Sequence, residues 1–215
     1  MNQHKKIRPK EHSLVGRALF WSALFAAIAI PIIFAVMSPL LAWRSPVYIT
    51  ACFAGVIGLG LLLLQPLLIG EDLPGFPRHI ARRVHPFVGA MLVVAVIIHI
   101  IGLWITSPPD VIDALTFTSP TPFSNWGVVA MWSLLATTAL AIFRRRLQLR
   151  ARNWRMAHSF FALVIVIGTV VHALLIEGVM ETVSKVTLCI LVVIATTKLI
   201  FSSKFFSNLR FSSKR

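Results

Sequence analysis

The chain has 215 residues, of which 57% are hydrophobic and only 13% are charged, and its mean hydropathy is +0.83. Soluble domains carry about 25% charged residues, so this composition excludes an ordinary soluble protein and predicts one whose solvent is largely lipid. The 21 Lys and Arg outnumber the 7 Asp and Glu, which gives a formal net charge of +14. In a soluble protein this excess indicates nucleic-acid binding, whereas in a membrane protein it usually sets the orientation.

Six continuously apolar stretches follow one another along the chain, each long enough for a bilayer-spanning helix of about 20 residues. As spans 1 to 6 they cover residues 18–43, 47–69, 84–106, 123–143, 156–176 and 183–201. Their apolar residues are continuous and do not alternate, which favours helices over barrel strands. The N-terminal segment resembles a signal peptide, but its apolar run is too long and no cleavage site of small residues follows. We interpret it as span 1, in which Pro31 and Pro39 predict a kink or tilt.

The basic residues fall almost entirely on one side of this six-span arrangement. Every Lys and Arg except Arg44 and Lys185 lies in the N-terminal tail, in the loops after spans 2 and 4, or at the C-terminal end. Because cytoplasmic loops of membrane proteins are enriched in Lys and Arg, both termini are predicted to be cytoplasmic. The sequence therefore predicts a multi-pass protein of a bacterial inner membrane, with basic tails at residues 1–17 and 202–215 and no nucleic-acid partner.

Four of the seven histidines lie inside spans: His85 and His99 on span 3, and His158 and His172 on span 5. Both spans have the spacing H-x13-H. Fourteen residues rise about 21 Å along a helix and make nearly four full turns, so the two histidines of each span share one face. Spans 3 and 5 cross in the same direction. His85 is therefore expected at the depth of His158, and His99 at the depth of His172.

Paired imidazoles at two depths restrict the chemistry that they can support. A histidine inside a membrane either bonds a neighbouring helix or marks a functional site. Zinc prefers three or four ligands, and a proton relay needs carboxylates, which no span carries at depth. Haem iron needs only two axial ligands, and helix bundles house large apolar cofactors. We therefore predict an all-α membrane protein, a six-transmembrane-helix bundle with both termini cytoplasmic, and two b-type haems between spans 3 and 5.

The spans and their histidines resemble the ferric reductase-like transmembrane domain over residues 47–201. The sequences that carry the resemblance are RRVHPFVG…IIH on span 3 and NWRMAH…VVH on span 5. That superfamily includes ferric reductases, NADPH oxidases and the haem subunit of the periplasmic methionine sulfoxide reductase system. The resemblance implies that His85 and His158 ligate the cytoplasmic-side haem, and that His99 and His172 ligate the outer haem. Trp154 resembles the aromatic residue with which the family begins this span.

Four arginines flank the histidines of the cytoplasmic side: Arg82, Arg83, Arg152 and Arg155. Guanidinium groups bind carboxylates in bidentate fashion, so these side chains are candidates for pairing with haem propionates. Two other interpretations remain open. They are topology signals, or they dock an acidic or flavin-bearing donor.

Small residues in the spans have simpler interpretations. Gly55, Gly58 and Gly60 permit close approach of helices. Cys52 and Cys189 lie in different spans without C-x-x-C spacing, so we interpret them as packing residues that form no disulfide.

The predicted function is one-electron transfer from a cytoplasmic or quinone donor, across the lipid bilayer, to ferric iron or a periplasmic partner protein. Unlike the longer members of the family, the chain has no flavin or nicotinamide module, so a separate flavoprotein reductase or quinone is expected to supply the electrons. The protein would be an oxidoreductase of the ferric reductase type or a membrane subunit of one. Two alternatives remain: a haem relay subunit for a periplasmic reductase, and a non-redox transporter of metal or haem.

Overall fold

The computed structural model describes residues 13–70 and 72–201, and this part of the chain is helical and contains no strand. The helices are α1 (Leu14–Val36), α2 (Pro46–Gly70), α3 (Arg78–Thr106), α4 (Pro108–Leu115), α5 (Pro122–Phe143), α6 (Ala151–Leu175) and α7 (Thr182–Phe201). All except α4 are long and apolar enough to cross a membrane. The predicted all-α protein with six candidate spans is confirmed. Spans 3 and 5 are α3 and α6. The predicted basic tails lie outside the described residues, apart from residues 13–17.

The first helix differs from its predicted bounds at both ends. It begins at Leu14 because the Ser13 side chain caps it, accepting a hydrogen bond from the backbone N–H of Gly16 at 3.1 Å. Pro31 lies inside the helix without ending it, whereas Pro39 starts a separate 3-10 turn, Pro39–Leu41. The predicted span 1 is therefore too long at its C-terminal end, since α1 stops at Val36.

The connection between spans 3 and 4 contains the short helix α4. A proline at its first position is compatible with a helix start, where no N–H is needed. Asp110 lies in the first turn, where a carboxylate is favoured by the helix dipole, and accepts a hydrogen bond from the Ser107 hydroxyl. The proline and Asp110 favour a helix at this point, which the hydrophobicity of the segment alone did not indicate.

The spans pack as two antiparallel hairpins joined by α7. Helix α2 lies along α3, α5 lies along α6, and α7 packs against α2 and α6, while α1 covers α2 and α7. The side chains of Leu188 and Val192 on α7 are almost fully buried at the centre of the largest core cluster, with Leu59, Leu92 and Val166 among its members. Helix α3 packs mainly against α2, and α6 packs mainly against α5. Helices α3 and α6 do not pack tightly on each other.

One end of the bundle collects most of the basic side chains. Lys198 on α7 forms an ion pair with Asp72 after α2, and the Trp21 indole of α1 donates to the carbonyl of Pro74 at 3.2 Å. These contacts bring the start of α1, the α2–α3 connection and the end of α7 together. The starts of α3 and α6 lie side by side at His85 and His158, so the α5–α6 connection lies at the same end. We name this end of the bundle the basic end. Its described cations are Arg17, Arg78, Arg82, Arg83, Arg144, Arg145, Arg146, Arg150, Arg152, Arg155 and Lys198.

Two adjacent valines on α7 test this packing. Val192 is 0% exposed and Val193 is 42% exposed, so Val192→Ala leaves a cavity whereas Val193→Ala does not. We expect Val192→Ala to lower the free energy of unfolding by about 1–3 kcal/mol, between the ranges for smaller and larger core truncations. Equilibrium unfolding in mixed micelles measures both variants. Equal losses would show that the buried face of α7 is assigned wrongly.

Candidate cofactor site

The structure brings the four intramembrane histidines together at two levels between α3 and α6. At the first level the ring centres of His85 and His158, the first pair, are 6.1 Å apart and their planes are inclined by 73°. The second level is formed by His99 and His172, the second pair, fourteen residues further along α3 and α6. All four rings are half-buried. The H-x13-H spacing predicted that His85 and His158 share a depth, and the structure places these two rings in contact.

The second pair is held by backbone carbonyls of the neighbouring helices. The Nδ1 of His99 donates to the carbonyl of Ala51 on α2 at 2.8 Å, and the Nδ1 of His172 donates to that of Phe123 on α5 at 2.9 Å. Because a carbonyl oxygen only accepts, each Nδ1 must carry the proton, and each Nε2 holds a lone pair. Metal-ligating histidines typically donate their other ring N–H in this way, which fixes the tautomer and the ring orientation.

In the first pair, the His158 ring is held by stacking. The Nδ1 atoms of His85 and His158 are buried without a hydrogen-bond partner, although the backbone of Gln65 lies beside His85. The indole of Trp154 stacks on the His158 ring, with centres 5.1 Å apart and planes inclined by 29°. The guanidinium of Arg144 lies 5.2 Å from the centre of the Trp154 ring. Trp154 was singled out from the sequence, whereas Arg144 was not.

The candidate arginines divide by helix face. Arg82 lies three residues before His85, and Arg155 lies three residues before His158, so each shares a face with a histidine of the first pair. Arg83 is exposed and lies off that face. Arg82 is also exposed, whereas Arg155 is half-buried with its Nε shielded from solvent. Arg82 and Arg155 are therefore the arginines best placed to serve a group bound at the first level.

The donor set fits a metal that brings its own equatorial ligands. Two imidazoles on opposite sides of one metal ion have ring centres about 6.4 Å apart when each metal–nitrogen bond is about 2.0–2.1 Å long. The first pair, at 6.1 Å, is close to that separation. Within residues 13–70 and 72–201 no group of three or more His, Cys, Asp or Glu could hold a metal ion. The geometry suits haem, which needs two axial nitrogens, better than tetrahedral zinc.

A buried lysine fixes the end of α6 that carries the second pair. Lys185 on α7 is 6% exposed, and its Nζ donates to the carbonyl of Ile176 at 2.8 Å. The N–H of Ile176 in turn donates to the carbonyl of His172. A cation at a helix C-terminus is favoured by the helix dipole. Sequence reasoning did not predict this contact, because it assigned Lys185 only to a side of the membrane.

The family comparison covers the same helices. Residues 54–169, more than half of the chain, match the family model described as the ferric reductase like transmembrane component. The match includes His85, His99 and His158 and ends three residues before His172. It is shorter than the resemblance inferred over residues 47–201, but it confirms the family. No curated protein and no solved structure gives a significant match to the chain.

The stacking of Trp154 on His158 is directly testable. Aromatic pairs in contact contribute about 0.5–1.5 kcal/mol beyond the area that they bury, so Trp154→Ala should loosen the His158 ring. The nuclear magnetic resonance signals of labelled His158 should lose the upfield ring-current shift and broaden. Trp132→Ala, which removes a 56% exposed indole on α5, is the control and should leave those signals in place. Unchanged His158 signals in Trp154→Ala would refute the contact.

Proposed function

The chain belongs to the family of ferric reductase-like transmembrane components, and we propose that it carries electrons singly across a bacterial inner membrane through two b-type haems. The donor, a flavoprotein reductase or quinone, delivers electrons at the basic end, which faces the cytoplasm. The acceptor outside is ferric iron or a partner protein. The observation that carries the proposal is the presence of two histidine pairs at two levels of α3 and α6, with the rings of the first pair in contact.

In this proposal each level holds one haem. His85 and His158 would hold the haem at the first level, and His99 and His172 would hold the haem at the second. When bound, haem would supply one-electron chemistry, and a histidine from each helix would hold its iron. These residues would suit the site to electron transfer.

The protein contributes orientation and an insulating layer. Backbone carbonyls hold the second pair with each Nε2 available, and Trp154 fixes the His158 ring from one face. Between the two levels neither α3 nor α6 carries a charged side chain, over residues 86–98 and 159–171. Ions cross such an apolar layer only at high cost. In this proposal the bundle therefore conducts electrons and not ions.

The arginines have separate roles in the proposal. Arg82 and Arg155, one turn from the first pair, bind haem propionates because guanidinium matches a carboxylate in two parallel hydrogen bonds. Arg83 and the exposed arginines of the α5–α6 connection face the donor and attract an acidic protein surface. The same concentration of cations at one end supports a cytoplasmic basic end.

Haem stoichiometry tests the ligand assignment. The purified protein should contain two haems per chain, with the absorption bands of six-coordinate haem b. His99→Ala and His172→Ala should each retain about one haem, because losing one axial ligand weakens a single level. His79→Ala replaces an exposed histidine at the start of α3 and should keep both haems. A protein without haem b, or an unchanged ratio in the two ligand variants, would end the two-haem proposal.

Electron transfer across a sealed membrane separates the redox function from the transporter alternative. In liposomes that contain trapped ferricyanide, adding a membrane-impermeant reductant outside should reduce the trapped oxidant when wild-type protein is present. His85→Ala and His99→Ala should each abolish that rate, since both levels are required in series, while His79→Ala should retain it. Haem or iron passage without any reduction of the trapped oxidant would instead support transport.

A further inference from the structure

The two helical hairpins repeat one arrangement around the second pair. In the first hairpin the carbonyl that accepts a hydrogen bond from the histidine Nδ1 lies 48 residues before that histidine. In the second hairpin the corresponding carbonyl lies 49 residues before. Four residues after each acceptor stands a glycine: Gly55 follows Ala51, and Gly127 follows Phe123. The recurrence of carbonyl, glycine and histidine in both hairpins indicates that the glycine belongs to the arrangement.

Helix geometry explains why a glycine is needed there. The carbonyl of residue i in an α-helix already accepts from the N–H of residue i+4. Its second lone pair is reached from the side, where the side chain of residue i+4 stands. A Cβ on Gly55 would lie 3.1 Å from the Nδ1 of His99, and one on Gly127 would lie 2.7 Å from the Nδ1 of His172. Any side chain at these positions would press on the imidazole that makes the bond.

A packing role alone does not account for these glycines. Gly in a helix interior costs about 1 kcal/mol relative to Ala. The atoms nearest to the missing Cβ are imidazole atoms at both positions, whereas at Gly58 on the same helix the neighbour is Leu92 at an ordinary 3.7 Å. The first pair does not repeat the arrangement, because the backbone beside His85 is that of Gln65, and the residue four positions after Gln65 is Ile69 and not a glycine.

We infer that Gly55 and Gly127 are positioning residues of the second pair. Each keeps open the path by which an imidazole reaches a helix carbonyl, and so fixes the ring plane and leaves Nε2 as the iron-binding nitrogen. The bond to the carbonyl also raises the basicity of the ligand. The inference rests on the proposed haem function, and it assigns the orientation of one haem's ligands to two residues that carry no side chain.

The test compares Gly55→Ala and Gly127→Ala with Gly58→Ala as the matched control. The variants are made in a His158→Ala background, in which only the second haem remains, and haem loss to apomyoglobin is timed. Gly127→Ala should lose haem about 10- to 100-fold faster, the usual cost of removing a partner behind a metal ligand. Gly55→Ala should show a smaller acceleration because its Cβ is accommodated by a shift of a few tenths of an ångström. Gly58→Ala should not change the rate.

A second measurement keeps the two claims separate. In haem-free protein with nitrogen-labelled histidine, magnetic resonance should find the Nδ1-protonated form of His99 and His172, and a changed tautomer balance in Gly127→Ala. If Gly127→Ala cannot be purified, Gly55→Ala carries both readouts. Equal haem loss in Gly55→Ala, Gly127→Ala and Gly58→Ala would overturn the positioning role while leaving the haem function intact. A wild-type protein that binds no haem would overturn the proposed function instead.

Discussion

A ring nitrogen of an imidazole in the membrane costs free energy when it lacks a partner, because no water is present to take over an unused N–H or lone pair. In the second pair the Nδ1 protons of His99 and His172 are bonded to carbonyls, so each ring still presents an Nε2 lone pair. Two lone pairs cannot hydrogen-bond to each other. A cation or metal ion that binds both lone pairs satisfies them together. The pairing of the histidines therefore indicates which kind of ligand they bind.

The hairpin organisation supplies the acceptors for the second pair. Helix α2 packs along α3 and α5 packs along α6, and each provides the carbonyl that accepts from the histidine of its partner helix. Helix α7 joins the hairpins through the buried Leu188 and Val192, and its Lys185 fixes the end of α6. The core contacts of α7 at Leu188 and Val192 thus join the hairpins without using the histidine side chains.

Sequence reasoning recovered whatever depends on helical periodicity. The spans, the shared face of His85 and His99, and the matching face of α6 follow from hydrophobicity and a rise of about 1.5 Å per residue. The early end of α1 and the presence of α4 were missed, because they depend on local turn and capping chemistry at Pro39 and Asp110. The carbonyls of Ala51 and Phe123 were missed for a different reason. A backbone acceptor leaves no trace in the identity of its residue, and Gly55 alone is indistinguishable from a packing glycine. The equivalent glycine in the second hairpin is the signal that distinguishes them.

Backbone acceptors also add no further polar atoms to the apolar layer. A side-chain amide or hydroxyl that accepted a hydrogen bond from Nδ1 would bring its own N–H or O–H into the membrane. Each such group that is left unpaired costs about 1–3 kcal/mol. The helices that support the first pair illustrate this cost. Gln65 lies fourteen residues after Ala51, and Thr137 lies fourteen after Phe123; Gln65 Nε2 and Thr137 Oγ1 are both buried without a partner. A carbonyl that already belongs to a helix accepts a second hydrogen bond without importing a donor. The repeated carbonyl and glycine therefore orient two imidazoles at the lowest polar cost that a membrane-spanning helix offers.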